Sequence, residues 1–553
     1  MPRKHRPPRP RDPKACRACA HAKVRCESTA QDGSACKRCL RLKKDCTTQL
    51  PGVHKRVGPR PDIARLEKKI NDMAAAVTAS PRPLLSASAD GPGGGATCIT
   101  RQSIFADISN EEAQRMLHRF QTEMASYFPF VAVPPDTTAS ELRQSRPFVF
   151  CAVAMVSCRD NIERQLGMAR SIREYAGSAI VAWGEKGLNL LQGLLVCLGW
   201  YHFQLELGSQ IRSILHLSLA MLSDLGLNCR PSSVKRILPL ESFPADYERQ
   251  VMHRTLDERR AYLGCFYMSA MVSICHGAID PIRYTDYTEE CCHAIAQAVE
   301  HPNDLYLVHL VRLHRLSDSI GRIHCSQIDP PGIPSAPIPE AIKAVETELR
   351  HFKPCPSNTL HDSILLLQYH NLEISLYDVA LEDDFLTNVA STSKRASILF
   401  SCLAATRTFF DAFSSIPPQQ YPNLPYPVYA TYSHALGTLS RLLLFTGEGW
   451  DLEHARSIVD IDATIGTLIT GMEKGSMAQH DGQPEYHFPE ALAEMTPRLR
   501  AFGEYHKIKR SALQTNSSEQ SLDKDPATAS EDAIQDIMFP LPHGLSWRIL
   551  RPP

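Results

Sequence analysis

The sequence predicts a largely all-α protein, with a small cysteine-rich domain and a short coiled coil ahead of one large helical domain, and disordered linkers between them. Three observations carry that expectation. Six of the 18 cysteines fall within the 31 residues from Cys16 to Cys46. Two Pro/Gly/Ser-rich stretches interrupt the chain before residue 103, and from there to about 511 apolar residues recur with helical spacing and little alternation. At 553 residues, with 43% hydrophobic and 22% charged, the chain is long enough for more than one domain and ordinary enough in composition to bury a core.

The formal charge of zero hides an uneven distribution. Residues 1–60 hold 17 Lys and Arg against 4 Asp and Glu, while the remainder holds 43 against 56. A polycationic head suits a polyanionic partner, nucleic acid before an anionic membrane. The head has no amphipathic apolar stripe, and Met1 to Lys14 lacks the apolar core of a signal peptide. The nearest approach to a membrane span is Ala261 to Ile279, uncharged but carrying Ser269, Ser273, Cys275 and His276, and it reads as a buried core helix. No membrane role is expected. In a reducing compartment close cysteine pairs point to metal before disulfide.

Taken in order, residues 1–15 form a disordered basic arm, and the cysteine domain occupies 16–46. A linker follows at 47–61. Ile63, Leu66, Ile70, Met73 and Val77 then alternate at 3 and 4 residues, an a/d seam flanked by Arg65, Glu67, Lys68 and Lys69. This predicts a short coiled coil over 62–77, with a monomeric linker helix as the alternative, followed by a disordered linker at 78–102. The all-α domain spans 103–511, and 512–553 form a disordered tail. Within the domain, Ser109 and Glu112 predict a capping box ahead of Met116, Leu117, Phe120 and Met124. Gln210 to Gly226 and Asp257 to Gly277 predict further helices, the second opening on the charged run Asp257 to Arg260. Pro-rich breaks near 329–339, 354–356 and 417–427 divide the later ones. In the tail, Glu531, Asp532 and Asp536 interleave with Ile534, Ile537, Met538, Phe539, Leu541 and Trp547, the composition either of an activation segment that would engage transcriptional coactivators or of a strand or helix that docks back on the domain.

The cysteine spacing is Cys16-x2-Cys19-x6-Cys26-x9-Cys36-x2-Cys39-x6-Cys46, two near-identical halves. Six thiolates satisfy two tetrahedral zinc ions only if two of them bridge both ions. A C-x2-C turn places two sulfurs on one ion, and each x6 leaves room for a short helix before the next ligand. Such a site contributes about 10 to 16 kcal/mol of apparent binding energy, enough to fold a segment without a hydrophobic core.

This segment closely resembles the zinc binuclear cluster of fungal transcription factors. The stretches LLQGLLVCLGWYHF, LSLAMLSDLGLN and DERRAYLGCFYMSAMVS likewise resemble the fungal helical regulatory domain found downstream of such clusters. The resemblance spans roughly three quarters of the chain. It implies a small zinc-stabilised binuclear cluster domain with two zinc ions, Cys16 and Cys36 bridging. It also implies that Lys23, three residues before the third cysteine, reads a CGG-type triplet from the N-terminal end of a short helix, as a lysine donating to guanine O6 and N7 can. Arg25, Lys37, Arg38, Arg41, Lys43 and Lys44 would then contact phosphates. Two departures stand out: positions 20 and 22, commonly basic in that family, are Ala, and Asp32-Gly33-Ser34 replaces a loop that often carries proline.

The function expected is a nuclear, sequence-specific regulator of RNA polymerase II transcription, binding double-stranded DNA as a homodimer. Within the family it looks most like an activator of a secondary-metabolite gene cluster. Two other readings compete: a repressor or protein-interaction factor whose cluster does not read DNA, and an enzyme carrying a zinc module. No HExxH, G-x-S-x-G, Walker or G-x-G-x-x-G motif supports the enzyme. Cys291, Cys292 and His293 form no ligand set with a neighbouring pair, and His309 and His314 do not share a helical face.

Overall fold

The computed structural model describes residues 16–26, 35–47, 103–230, 254–277, 279–325, 338–353, 359–382, 385, 392–477 and 489–518. The chain divides into two units, Met1–Ala89 and Asp90–Pro553. The coiled-coil seam Ile63, Leu66, Ile70, Met73 and Val77, the first linker beyond Thr47, the second linker, the basic arm and the activation segment lie outside the described residues.

In the first unit two five-residue helices, α1 (Arg17–His21) and α2 (Lys37–Arg41), each start directly after a cysteine. The helix expected inside each x6 spacer is thus displaced toward the N-terminus, onto the C-x2-C turn itself. The reason is local. A helix beginning at residue 37 aims the Cys39 backbone N–H at the Cys36 sulfur, which it reaches at 3.5 Å.

In the second unit the described residues form helices and no strand. Their starts follow side-chain capping: Thr138 and Thr255 close full capping boxes with Glu141 and Glu258, and Asn161 caps Ile162–Gly177. Ser109 caps Asn110–Arg119 as expected, but the box is only half made, because Glu112 turns away to Arg164. Gly226 and Gly277 stand at φ 62° and 58° just beyond the two helices whose ends they were expected to mark.

The core is built around three helices that are apolar on nearly all sides. Pro147–Ser157 is buried along its whole length. It packs against Leu188–Gly199, where Gly193 allows the close approach: a Cβ there would stand 2.2 Å from the Phe148 ring. The third, Leu256–His276, confirms the core-helix reading of 261–276. Phe120, Phe128 and Trp200 meet edge to face with centroids 5.4 and 5.8 Å apart, and Phe130 stacks on Tyr267 at 5.1 Å. Each such ring contributes about 1.5 to 3 kcal/mol through burial. Among the described residues one helix, Ser393–Ser414, is long and apolar enough to cross a membrane by length and composition, yet half of it is buried, and it packs against Leu360–Tyr377.

Arg260 departs from the sequence reading. It belongs to the charged start of its helix, yet its side chain is 1% exposed. Its guanidinium donates to both oxygens of Asp304 at 3.0 Å, and to Asp257 and Glu300 at 3.0 and 2.9 Å. Only a carboxylate that is itself buried makes that position tenable. The last helix, Met495–Ser518, continues past the boundary expected at 511.

Candidate metal and nucleic-acid site

All six cysteines of the first unit come together. Four, Cys16, Cys19, Cys36 and Cys39, are buried, with Cys26 and Cys46 packed against them. Their sulfurs form two quartets, Cys16, Cys19, Cys26, Cys36 and Cys16, Cys36, Cys39, Cys46. The quartets share Cys16 and Cys36.

Distances test whether metal fits. Sulfurs at the corners of a tetrahedron with ~2.3 Å metal bonds stand about 3.8 Å apart. Here Cys16 and Cys36 are 3.8 Å apart, Cys16 and Cys39 3.6 Å, and Cys19 and Cys36 3.6 Å. None of the six forms a disulfide. A set of soft thiolates at these spacings could hold metal ions of the zinc class and suits hard cations poorly.

The two halves repeat with a 20-residue offset. The Cys16 N–H donates to the Cys26 sulfur at 3.5 Å and the Cys36 N–H to Cys46 at 3.3 Å. Val24 N–H and Lys44 N–H reach the Cys19 and Cys39 carbonyls at 3.2 and 3.0 Å. Arg17 N–H to Thr47 carbonyl, 2.9 Å, ties the two ends together. The shared cysteines are electrostatically distinct. The Cys39 backbone N–H brings the Cys36 thiol down to about 6, and that of Cys19 lowers Cys16, whereas burial pushes Cys19 up to about 11.

Lys23 requires a correction. It lies two residues beyond the C-terminal end of α1, not at the start of a helix, with φ 50°. Its repeat mate Lys43 occupies the same left-handed turn at φ 46°. The chain must reverse there to return Cys26 and Cys46 to their quartets. Lys23, Arg25, Lys37, Arg41, Lys43 and Lys44 are exposed, as residues meeting a polyanion must be. Arg38 is half-buried. Sequence reading missed the equivalence of Lys23 and Lys43, which the repeated C-x2-C-x6-C spacing already contains.

The helical unit offers weaker chemistry. Asp257, Glu300 and His301 come close enough to share an ion, but Arg260 already pairs with both carboxylates. Burial lowers His202 to about 3 and His276 and His314 to about 4, so these imidazoles stay neutral. His314 is bonded to Ser317 and Gln368, and Cys291 and Cys292 are buried free thiols.

The model of the WAR1 C-terminal domain matches residues 103–417, more than half of the chain. The chain belongs to this family of fungal regulatory proteins. Proteins similar to it include the transcription factor opdL of Penicillium oxalicum, 28% identical over 83% of this chain and 83% of its own. Transcription factor himD of Aspergillus japonicus is 29% identical over 73% of this chain and 69% of its own. Transcriptional regulator WAR1 of Candida albicans is 24% identical over 61% of this chain and 35% of its own. No solved structure matches. As a member of this family the chain is a transcription regulator and not an enzyme.

Proposed function

We propose that residues 16–46 hold two zinc ions, one in each sulfur quartet and both bridged by Cys16 and Cys36, and that this cluster binds double-stranded DNA in a sequence-specific manner. The observation that carries the reading is the pair of four-sulfur sets with two common members, the arrangement by which six thiolates fill eight coordination positions. Bound zinc supplies structural bonds and takes no part in chemistry. The chain's own residues present charge: Lys23, in its left-handed turn, reads a CGG-type triplet, while Arg25, Lys37, Arg38, Arg41, Lys43 and Lys44 contact phosphates.

The protein acts in the nucleus on genes transcribed by RNA polymerase II, as an activator of a gene cluster such as a secondary-metabolite pathway. The seam Ile63, Leu66, Ile70, Met73 and Val77 joins two copies, because one cluster reading about three base pairs carries too little information to find a site. The test has two parts. Native mass spectrometry of the full chain should count two zincs. A binding selection should then return a CGG-containing site for the wild type and a relaxed preference for Lys23→Ala. A chain holding a single zinc, or an unchanged preference in the variant, defeats the respective half of the reading. Genome-wide occupancy mapping identifies the target genes.

A further inference from the structure

The helical unit holds an open cavity of about 470 Å³, a size in the range of small-molecule sites. Three pieces of chain meet around it: the stretch from Ala132 through the helix Ala139–Ser145 to Arg146, the start of Leu256–His276, and the turn that follows Asp286–Ala298. Val299 makes that turn at φ 43°, left-handed backbone that costs a β-branched residue energy, and Glu300 and His301 come straight after it on the cavity wall.

The wall carries both signs of charge without letting them cancel. Glu141, Asp257 and Glu300 supply carboxylates and Arg146 a guanidinium, yet among the described residues Arg146 forms no ion pair with any of the three. Its one hydrogen bond there runs from Nη1 to the Ala132 carbonyl at 3.0 Å, which leaves most of its N–H donors for another acceptor. Each carboxylate in turn spends one oxygen on the protein. Glu141 Oε2 accepts from the Thr138 N–H and hydroxyl, both at 2.9 Å. Asp257 Oδ1 and Glu300 Oε2 accept from Arg260 at 3.0 and 2.9 Å. Their second oxygens take no hydrogen bond among the described residues.

Charge counting then narrows the ligand. Arg260 sets one positive charge against Asp257, Glu300 and Asp304. With Glu141 and Arg146 added, four carboxylates face two guanidiniums, an excess of negative charge. That excess repels a simple anion, and a simple amine leaves the Arg146 fork without a partner. A molecule with a carboxylate and an ammonium group satisfies both, and a second ammonium offsets the surplus.

The geometry points to a binding site for a free amino acid in this cavity. The ligand carboxylate pairs with Arg146 and its ammonium groups with the second oxygens of the wall carboxylates, so that basic amino acids bind best. The site belongs to the helical unit alone and stands or falls separately from the zinc-cluster reading.

The experiment is isothermal titration calorimetry of the full chain with each of the standard amino acids, followed by two analogues of lysine. Cadaverine lacks the carboxylate, and hexanoate lacks both ammonium groups. Lysine and arginine should bind more tightly than leucine, and leucine more tightly than glutamate. Cadaverine should bind about 10-fold more weakly than lysine, the worth of one charge-assisted pair, and hexanoate should give no heat. Arg146→Gln should bring lysine down to the affinity of cadaverine while cadaverine binds no more weakly than before. Glu300→Gln should weaken lysine and cadaverine alike, a contrast between the two variants that a general loss of packing would not produce. Absence of binding by every amino acid at millimolar concentration overturns the proposal, as does tighter binding of glutamate or hexanoate than of lysine, and both outcomes are read on the wild type. Unchanged lysine affinity in both variants would place the amino acid elsewhere and overturn it as well.

Discussion

Among the described residues of the first unit the buried side chains are cysteines, Cys16, Cys19, Cys36 and Cys39, while the apolar Val24, Leu40 and Leu42 are 42%, 62% and 42% exposed. In the helical unit the proportions reverse. Leu, Ile, Phe and Tyr fill the interior, and the charges admitted there, such as Arg260 and Asp304, come in pairs. Among its described residues, one unit places its apolar side chains in water and has sulfur, not hydrocarbon, at its centre. The other excludes water over hundreds of residues and can accept a few satisfied charges. Length decides between the two solutions, since a segment of some thirty residues cannot bury enough surface to offset its chain entropy.

The largest expected effect breaks that comparison directly. Stripping metal from the full chain should remove about 10 to 16 kcal/mol of apparent stabilisation from residues 16–46 and leave the helical unit intact. Limited proteolysis should then cut between Arg17 and Lys44, with helical circular dichroism almost unchanged. Protection of that segment in the metal-free chain would show that something other than metal holds it.

Next in size is Asp304→Ala, which leaves the Arg260 guanidinium buried without its bidentate partner and should cost about 3 to 5 kcal/mol. Thermal denaturation should show the loss while the zinc count stays at the wild-type value. A milder test probes packing: Gly264→Ala places a Cβ 2.8 Å from the Phe130 Cβ, and should cost about 1 to 3 kcal/mol, read as a lowered denaturation midpoint. An unchanged midpoint would mean that the turn carrying Phe130 yields freely at that contact.

The smallest effect is a pH dependence confined to the helical unit. Burial alone would raise the Asp378 carboxyl, but His324 and His434 at 3.3 and 3.4 Å outweigh it and hold it well below the carboxylate range. Burial would likewise lower His324, and Asp378 outweighs that, raising it above 6.5. The Asp378 contribution is present above its ordinary 3.8 and lost as pH falls through its depressed value. The His324 contribution is complete below 6.5 and lost as pH rises through its raised value. The stability gap between wild type and Asp378→Asn should therefore narrow as pH climbs from 6 into the alkaline range. A constant gap would show that the group is held by packing alone.

Much of this was legible in the chain because it is local. The C-x2-C-x6-C halves announce a sulfur cluster by spacing, and Ser109, Gly226 and Gly277 mark helix ends by the hydrogen-bonding and φ freedom of single residues. The helix register within the cluster was misjudged for a reason also local but not visible in spacing. The cysteine sulfur itself accepts the first free backbone N–H, and so starts the helix earlier than room in the x6 spacer suggested.

By itself, then, the sequence determined which residues could bind metal, where the chain turns helical and that the middle of it folds on an apolar core, since each depends on neighbours a few positions apart. The tertiary structure alone decided which partners the polar groups would take. Arg260 finds Asp304 across 44 residues, and Arg164 finds Glu112 across 52. Asp378 meets His324 and His434 inside the helical unit. A buried charge must be met by whatever opposite charge packing brings within reach, and packing is a property of the whole fold.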